Sequence, residues 1–207
     1  MNEYHKIQTV YKRDPITKFK TLLESDYSLP EFEYLKDNEW VFTEKVDGTN
    51  IRVMFDGEAI TFGGKTDRAQ IPALLVNRLN EIFLPQINTF KEIFDSGDVC
   101  LYGEGYGGKI QKGGNYRQDS DFVLFDIKIS FWWLQRADID EIAIKLGLDV
   151  VPIIYHGTLD DMINIAKDGF NSVWGDFKAE GIVARPAVEL KSRNGSRIIT
   201  KIKYKDF

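Results

Sequence analysis

Short segments of alternating apolar and polar residues, broken by turn signals every few positions, constrain the fold of this chain more than any other feature. Trp40 to Glu44 and Asn50 to Phe55 alternate in the manner of strands. Asp56-Gly57, leading into Ala59 to Phe62, is a hairpin signal, because the tight turns that join antiparallel strands need residues that accept positive φ. Val99 to Glu104, Asp121 to Ile129, Val150 to Tyr155, Glu180 to Arg185 and Ser196 to Tyr204 read as further strands, Val150 to Tyr155 as a buried one. Helical spacing is confined to three stretches. From Pro72 to Phe94 the apolar residues Leu75, Leu79, Ile82, Phe83, Phe90 and Phe94 recur at that spacing, and Pro85 divides the run into two helices. Asp138 with Glu141 forms a capping-box-like start to a helix that Gly147 stops, and Thr158 caps Leu159 to Lys167 before Gly169. Hairpin-linked strands with few intervening helices predict an α+β fold of mostly antiparallel sheets flanked by helices. The first 38 residues give turn signals at Asp14-Pro15 and Leu29-Pro30 and little else. No repeat or Pro/Ser-rich linker marks a boundary, so residues 1–207 are expected to form a single domain.

Composition excludes several classes of function. One cysteine, Cys100, rules out a disulfide framework and a Cys-rich zinc site, and two histidines rule out a multi-histidine metal centre. Cys100 lies in a strand and reads as a buried structural thiol. No apolar run reaches membrane-spanning length, and the N-terminal residues show no signal-peptide core, so a soluble cytoplasmic protein is expected. Net charge is −5, which argues against a blanket polyanion binder. Charge is nonetheless uneven: Lys191, Arg193, Arg197, Lys201, Lys203 and Lys205 stand against only Glu189 and Asp206 at the C-terminal end.

Two glycine patterns carry no function. Gly103, Gly105 and Gly108 fit G-x-G-x-x-G, but Lys109 to Asn115 is a poor helix, and a dinucleotide site requires a helix there. Gly64-Lys65-Thr66 ends like a phosphate-binding loop, yet the first glycine of that motif falls on Ala59.

The chemistry lies elsewhere. Glu44-Lys45-Val46-Asp47-Gly48 sets a lysine at a strand end before a turn. A lysine amine attacks only when neutral, and an ordinary pKa near 10.4 leaves about one in a thousand neutral near pH 7.5. Neighbouring cations lower that pKa and assist attack. Lys201 and Lys203, two apart on a strand, share a face, and two like charges there favour a phosphate between them. Glu104 and Glu180 each stand beside glycine at a strand end, where a carboxylate suits a ribose hydroxyl or a hydrated Mg²⁺. Phe122 to Asp126 offers an aromatic ring for a base to stack on. Each feature alone is ordinary: a surface lysine, a turn glutamate, a core aromatic.

Their order is not ordinary. Lys-x-Asp-Gly, Gly-Glu-Gly, Phe-Asp, Glu-Gly-Ile-Val and Lys-x-Lys, running from Lys45 to Lys203 over about three quarters of the chain, resemble the covalent nucleotidyltransferase superfamily of ATP-dependent ligases and capping enzymes. Glu44 to Asn50, Gly108-Lys109-Ile110-Gln111-Lys112 and Asp121 to Asp126 are similar to the RNA ligases of the phage nick-sealing and editing branch. DNA ligases and capping enzymes usually carry arginine where this chain has Asn50.

The resemblance implies a nucleotidyltransferase, ATP-grasp-like core that uses ATP with Mg²⁺ or Mn²⁺. It implies Lys45 as the nucleophile that becomes lysyl-AMP, Glu44 beside the adenine edge, Phe125 stacked on the base, and Glu104 on the ribose. Glu180 organises the metal, Asn50 orients a metal-bound water, and Lys201 and Lys203 hold the α-phosphate. Lys65 matches a motif that touches ribose or nucleic-acid phosphate, where the family often has arginine; Arg68 is an alternative for that role. The expected activity joins RNA 5′-phosphate and 3′-hydroxyl ends through lysyl-AMP and adenylylated RNA, by a monomer with no membrane partner. Lys191, Arg193 and Arg197, with Lys/Arg between residues 65 and 117, are expected to grip RNA. The chain ends four residues after Lys203, where relatives commonly carry a further domain, so a core without an obvious C-terminal domain is expected. A DNA ligase or GTP-dependent capping-type core and a non-catalytic RNA-end-binding module remain open alternatives at this point.

Overall fold

The computed structural model describes residues 3–95, 97–111 and 115–207. In chain order its strands are β1 (Gln8–Thr9), β2 (Tyr11–Arg13), β3 (Leu22–Tyr27), β4 (Trp40–Glu44), β5 (Thr49–Phe55), β6 (Ile60–Gly63), β7 (Val99–Tyr106), β8 (Asp121–Ile129), β9 (Trp132–Trp133), β10 (Ile153–Gly157), β11 (Gly181–Pro186) and β12 (Thr200–Lys203). Its α-helices are α1 (Pro30–Tyr34), α2 (Ala73–Phe83), α3 (Ile87–Ile93), α4 (Arg136–Leu146) and α5 (Leu159–Asp168). They fall into two compact units, one of Met1–His5 with Asp47–Val151, the other of Lys6–Val46 with Pro152–Phe207.

The first unit is a five-stranded sheet in the order β6-β5-β7-β8-β9, antiparallel throughout. Asp56-Gly57 makes the β5–β6 turn as its sequence predicts: Gly57 has φ +99°, and the Asp56 carboxylate accepts from the Glu58 and Ala59 amides at 2.9 and 2.8 Å. Leu75, Leu79 and Phe83 of α2 and Phe90 of α3 are fully buried against Ile51, Val53 and Leu101 on one face of the sheet. Burying a side chain of this size is worth roughly 1.5–3 kcal/mol, so these few anchors hold the helices in place. A short 3₁₀ turn, Leu84–Gln86, separates α2 from α3 around Pro85.

The second unit carries a five-stranded sheet in the order β1-β12-β11-β4-β10 and a β2–β3 hairpin. Only β1 and β12 pair in parallel. Leu159, Met162, Ile163 and Ala166 of α5 are buried with Trp40, Phe42, Ile182 and Ile202 against one sheet face. Thr158 caps α5, accepting from the Asp161 amide at 3.3 Å, while Asp161 Oδ2 accepts from the Thr158 amide at 2.8 Å.

Three expectations need correction. Val150 to Tyr155 is not a buried strand: β10 starts at Ile153 on the sheet edge, with Ile153 39% and Tyr155 51% exposed. An apolar run does not distinguish a central strand from an edge. α4 begins one residue beyond Gln135 rather than at Asp138, whose carboxylate accepts from the Gln135 amide at 3.3 Å. The last strand spans only Thr200–Lys203, because Lys191 and Arg197 form a separate bridge around the Ser192–Ser196 turn. Lys112, in the Gly108 to Lys112 motif, lies outside the described residues, as do Gly113 and Gly114.

Candidate active site

In the second unit the predicted nucleophile follows β4 directly. The Lys45 amide donates to the Gly181 carbonyl at 2.9 Å, so the strand pairing that starts at Glu44↔Ile182 extends to the lysine itself. Val183 faces Thr43 on one side and Lys201 on the other, and Gly181 faces Lys203. Period-two alternation therefore puts Lys45, Arg185, Lys201 and Lys203 on the sheet face opposite the α5 core. Arg185 was missed from the sequence, although its spacing two residues beyond Val183 signals this face. Gly181 is required: a Cβ there would stand 2.1 Å from the Ile202 carbonyl oxygen. Its missing side chain admits the neighbouring strand rather than a ligand.

Glu180 joins the cations. Its Oε2 accepts from Lys45 Nζ, and its Oε1 accepts from Lys203 Nζ at 2.5 Å. The carboxylate is only 10% exposed. Burial pushes its pKa up, but the charge of Lys45 and the hydrogen bonds from both lysines outweigh burial, and the net shift is downward. It is thus held ionised between two ammonium groups.

Two remote contacts place β12. On one side Val10 donates to the Lys201 carbonyl at 3.1 Å, and Thr200 Oγ1 donates to the Gln8 carbonyl at 3.2 Å. Beyond the strand, the buried Asp206 accepts from the Lys203 amide at 3.0 Å and from Arg13 Nη2 at 2.7 Å. No local pattern announces the pairing of β12 with Gln8 and Val10 or of Asp206 with Arg13, which join residues separated by nearly the whole chain.

Glu44 points away from Lys45, into the α5 side of the sheet. It is 1% exposed, and its Oε2 accepts from the Val173 amide at 3.0 Å. Burial raises its pKa against the lowering effect of hydrogen bonds from Ser172 and Val173. Its Oε1 is buried without a hydrogen-bond partner among the described residues.

In the first unit, Asn50 stands opposite Glu104 across β5 and β7, on the face away from the helices. Asn50 Oδ1 is buried without a partner among the described residues. Phe125 lies on β8 at a bulge: Tyr102 pairs with Asp126 and Gly103 with Leu124, leaving Phe125 as the extra residue. Bulges re-aim side chains, and here the ring meets Tyr4 edge-on with centroids 5.1 Å apart. Tyr4 also donates to the fully buried Asp126 at 2.7 Å. Lys65 and Arg68 are exposed on the loop after β6. Arg52, 1% exposed, anchors that loop through Gly64 O at 2.9 Å and Asp67 Oδ1 at 2.7 Å. Sequence reasoning named the loop but not its anchor.

Arg197 departs from its expected role. Its guanidinium is 3% exposed and clamps Glu189 at 2.5 and 3.1 Å, so it braces the Glu189–Arg197 hairpin instead of facing solvent. Lys191 and Arg193 on the same hairpin are exposed.

For a divalent ion, the described residues hold no cluster of three His, Cys, Asp or Glu. One ionised carboxylate fits Mg²⁺ all the same, since that ion is usually held by one or two carboxylates, substrate phosphates and waters.

Comparison with known proteins then bears on the motif order. The RNA ligase family profile matches residues 38–204, which includes every lysine and glutamate of the set. The chain belongs to the RNA ligase family. Solved structures of Naegleria gruberi RNA ligase share its α+β fold. A variant with ATP and manganese is 18% identical at a TM-score of 0.71, covering 98% of this chain and 56% of that one. A variant with AMP and manganese is 18% identical at 0.68, covering 98% and 58%. The same ligase with pyrophosphate is 19% identical at 0.67, covering 98% and 58%. This member of the family spans less than two thirds of the length of those structures.

Proposed function

We propose that residues 1–207 act as one adenylylation domain of an ATP-dependent RNA ligase, joining a 5′-phosphate to a 3′-hydroxyl. The observation that carries this reading is the Lys45–Glu180–Lys203 cluster, assembled from three separate motifs on one face of a sheet. In the first step the Lys45 amine, released from Glu180 and deprotonated, attacks the α-phosphorus of ATP. A nitrogen–phosphorus bond forms, the bond to pyrophosphate breaks, and Lys201 and Lys203 balance charge on the transferring phosphoryl group. An oxygen of the RNA 5′-phosphate then attacks the phosphorus of lysyl-AMP and breaks its bond to the Lys45 nitrogen, and the 3′-hydroxyl attacks the RNA 5′-phosphate, loses its proton to solvent and expels AMP.

Glu180 is the carboxylate that would hold Mg²⁺ or Mn²⁺, which supplies Lewis-acid stabilisation of the phosphates when bound. Glu44 offers its unpartnered Oε1 to the adenine edge, and Asn50 offers its unpartnered Oδ1 to a metal-bound water. Glu104 keeps the ribose role and Phe125 the base-stacking role that the resemblance implies, and Lys65, seated by the Arg52 anchor, contacts ribose or RNA phosphate. No helix among the described residues is long and apolar enough to cross a membrane, and the single buried thiol suits a reducing cytoplasm, where the chain would act as a monomer.

The test is incubation with α-labelled ATP or GTP and Mg²⁺, followed by denaturing electrophoresis of wild type and Lys45→Ala. Label from ATP that survives denaturation and vanishes in the variant is the expected result. Label from GTP alone identifies a capping-type enzyme, and no label from either leaves a binding module.

A further inference from the structure

The β2–β3 hairpin belongs to no motif, yet it has the features of a nucleic-acid contact. Its tip is ordered by its own backbone: Phe19 donates to the Asp14 carbonyl at 2.9 Å, Lys18 to Pro15 at 3.1 Å, and Ile16 to Asp14 Oδ1 at 2.8 Å. Arg13 spans the structure beneath it, holding Asp206 with one guanidinium nitrogen and the carbonyls of Phe19 and Lys20 with the other, at 3.3 and 3.4 Å. The hairpin is thereby fixed to the segment that also caps Lys203.

At the tip, Lys18 and Phe19 have φ +56° and +61°. A turn with both central residues in the left-handed region is the hairpin type that strongly prefers Asn-Gly. Lysine and phenylalanine are poor choices for it, and such strain tends to persist where the side chains have a use. Both side chains project outward: Phe19 is 61% exposed, and Lys18 and Lys20 on either side of it are exposed and in no ion pair among the described residues. Lys12, further down the hairpin, is engaged by Asp26 at 2.6 Å. An exposed ring between two uncommitted lysines, on a chain of net charge −5, is a local exception to the molecule's acidic character.

We propose that the β2–β3 hairpin tip is an RNA-docking element, Phe19 stacking on a base while Lys18 and Lys20 hold the flanking phosphates. This rests on the RNA ligase reading above. RNA fits better than a lipid surface, because the aromatic is single and set between charges.

The experiment uses the full chain and 5′-phosphorylated, fluorescein-labelled RNA, both single-stranded and annealed as a nicked duplex, with anisotropy followed across a salt series. Lys18→Gln/Lys20→Gln is expected to flatten the slope of log K against log salt by about 1.4–1.8, the contribution of two phosphate contacts. Phe19→Ala is expected to weaken binding about 5-fold or more while leaving the slope unchanged. Lys18→Asn/Phe19→Gly separates folding from recognition: it installs the preferred turn, so Tm rises while RNA affinity falls. Wild-type binding that all three variants retain overturns the proposal. So does absence of RNA binding by the wild type, capture of anionic phosphatidylserine vesicles in place of RNA, or an affinity loss that appears only with a lowered Tm. Adenylylation of the wild type from labelled ATP, read in parallel, reports on the enzymatic reading by itself: if it fails while the tip still governs RNA affinity, that reading falls and the docking element stands.

Discussion

Replacing Glu180 with Gln keeps the shape of the side chain and removes the one negative charge between Lys45 and Lys203. At an effective dielectric of about 20, a pair of unit charges about 4 Å apart interacts by about 4 kcal/mol, and two such attractions converge on this carboxylate. Desolvation opposes them, and breaking a buried pair typically costs about 3–5 kcal/mol. The lysine side chains are 21% and 22% exposed, which screens part of the interaction. The expected loss is therefore about 2–4 kcal/mol at pH 7, or a drop of about 5–15 °C in Tm for a chain of this length. The dependence on pH is the sharper test. Glu180 has a lowered pKa in the folded chain, so its stabilisation is complete above the ordinary carboxylate value of 4.5 and is lost as pH falls through the lowered value. Below that point wild type carries a neutral carboxyl group like the amide. Urea unfolding at pH 7, 5, 4 and 3 is expected to show a gap between wild type and Glu180→Gln that is constant at the upper values and narrows at the lowest. Adding Lys203→Met to Glu180→Gln relieves the repulsion left behind and restores part of the stability at pH 7. A gap that is the same at pH 7 and pH 3, or a Gln variant as stable as wild type at pH 7, refutes the electrostatic account.

Three further outcomes follow from the geometry. Gly48→Ala would bring a Cβ to 2.3 Å from the Gly105 carbonyl oxygen and 2.8 Å from Glu104 Cγ, so it is expected to cost about 1–3 kcal/mol and displace Glu104; unchanged Tm together with unchanged ATP labelling would contradict this. Arg52→Met leaves the Gly64 carbonyl and Asp67 without their donor, and hydrogen exchange is expected to rise across residues 64–68, with a stability loss of about 2–4 kcal/mol by urea titration. Arg197→Gln is expected to lower Tm without changing the salt slope of RNA binding, whereas Lys191→Gln/Arg193→Gln changes the slope and leaves Tm alone.

Most of the strands and the face shared by Lys201 and Lys203 were legible because they depend on periodicity, a local property. The Asp56-Gly57 turn and the Thr158 cap were legible for the same reason: their chemistry lies within four residues. What the sequence hid is long-range. Arg13 finds Asp206 across 193 positions, and Arg52 anchors a loop whose recognisable residues are Lys65 and Thr66. Arg197 looked like one more surface cation, since only the folded hairpin brings Glu189 to it. β10 misled because apolar residues at a sheet edge resemble those at its centre. Phe125 was chosen for its ring, but the bulge that aims it results from a pairing shift between β7 and β8 and leaves no mark in either strand.

The sheet that bears the lysines also sets an order of assembly. β4 is synthesised early, but its neighbour β11 and then β12 come after the intervening Asp47–Val151 segment, and Gln8 meets Thr200 across 192 residues. Contacts so distant in sequence form late, because the chain between them must be ordered or looped out first. On the ribosome the Asp47–Val151 sheet can collapse while β4 still waits for its partners. Lys45 is thus translated long before Glu180 and Lys203 exist to meet it. A nascent or interrupted chain would carry Lys45 but neither the carboxylate that pairs with it nor the second lysine that shares that carboxylate. The Lys45–Glu180–Lys203 cluster would therefore be assembled only when β12 joins the sheet.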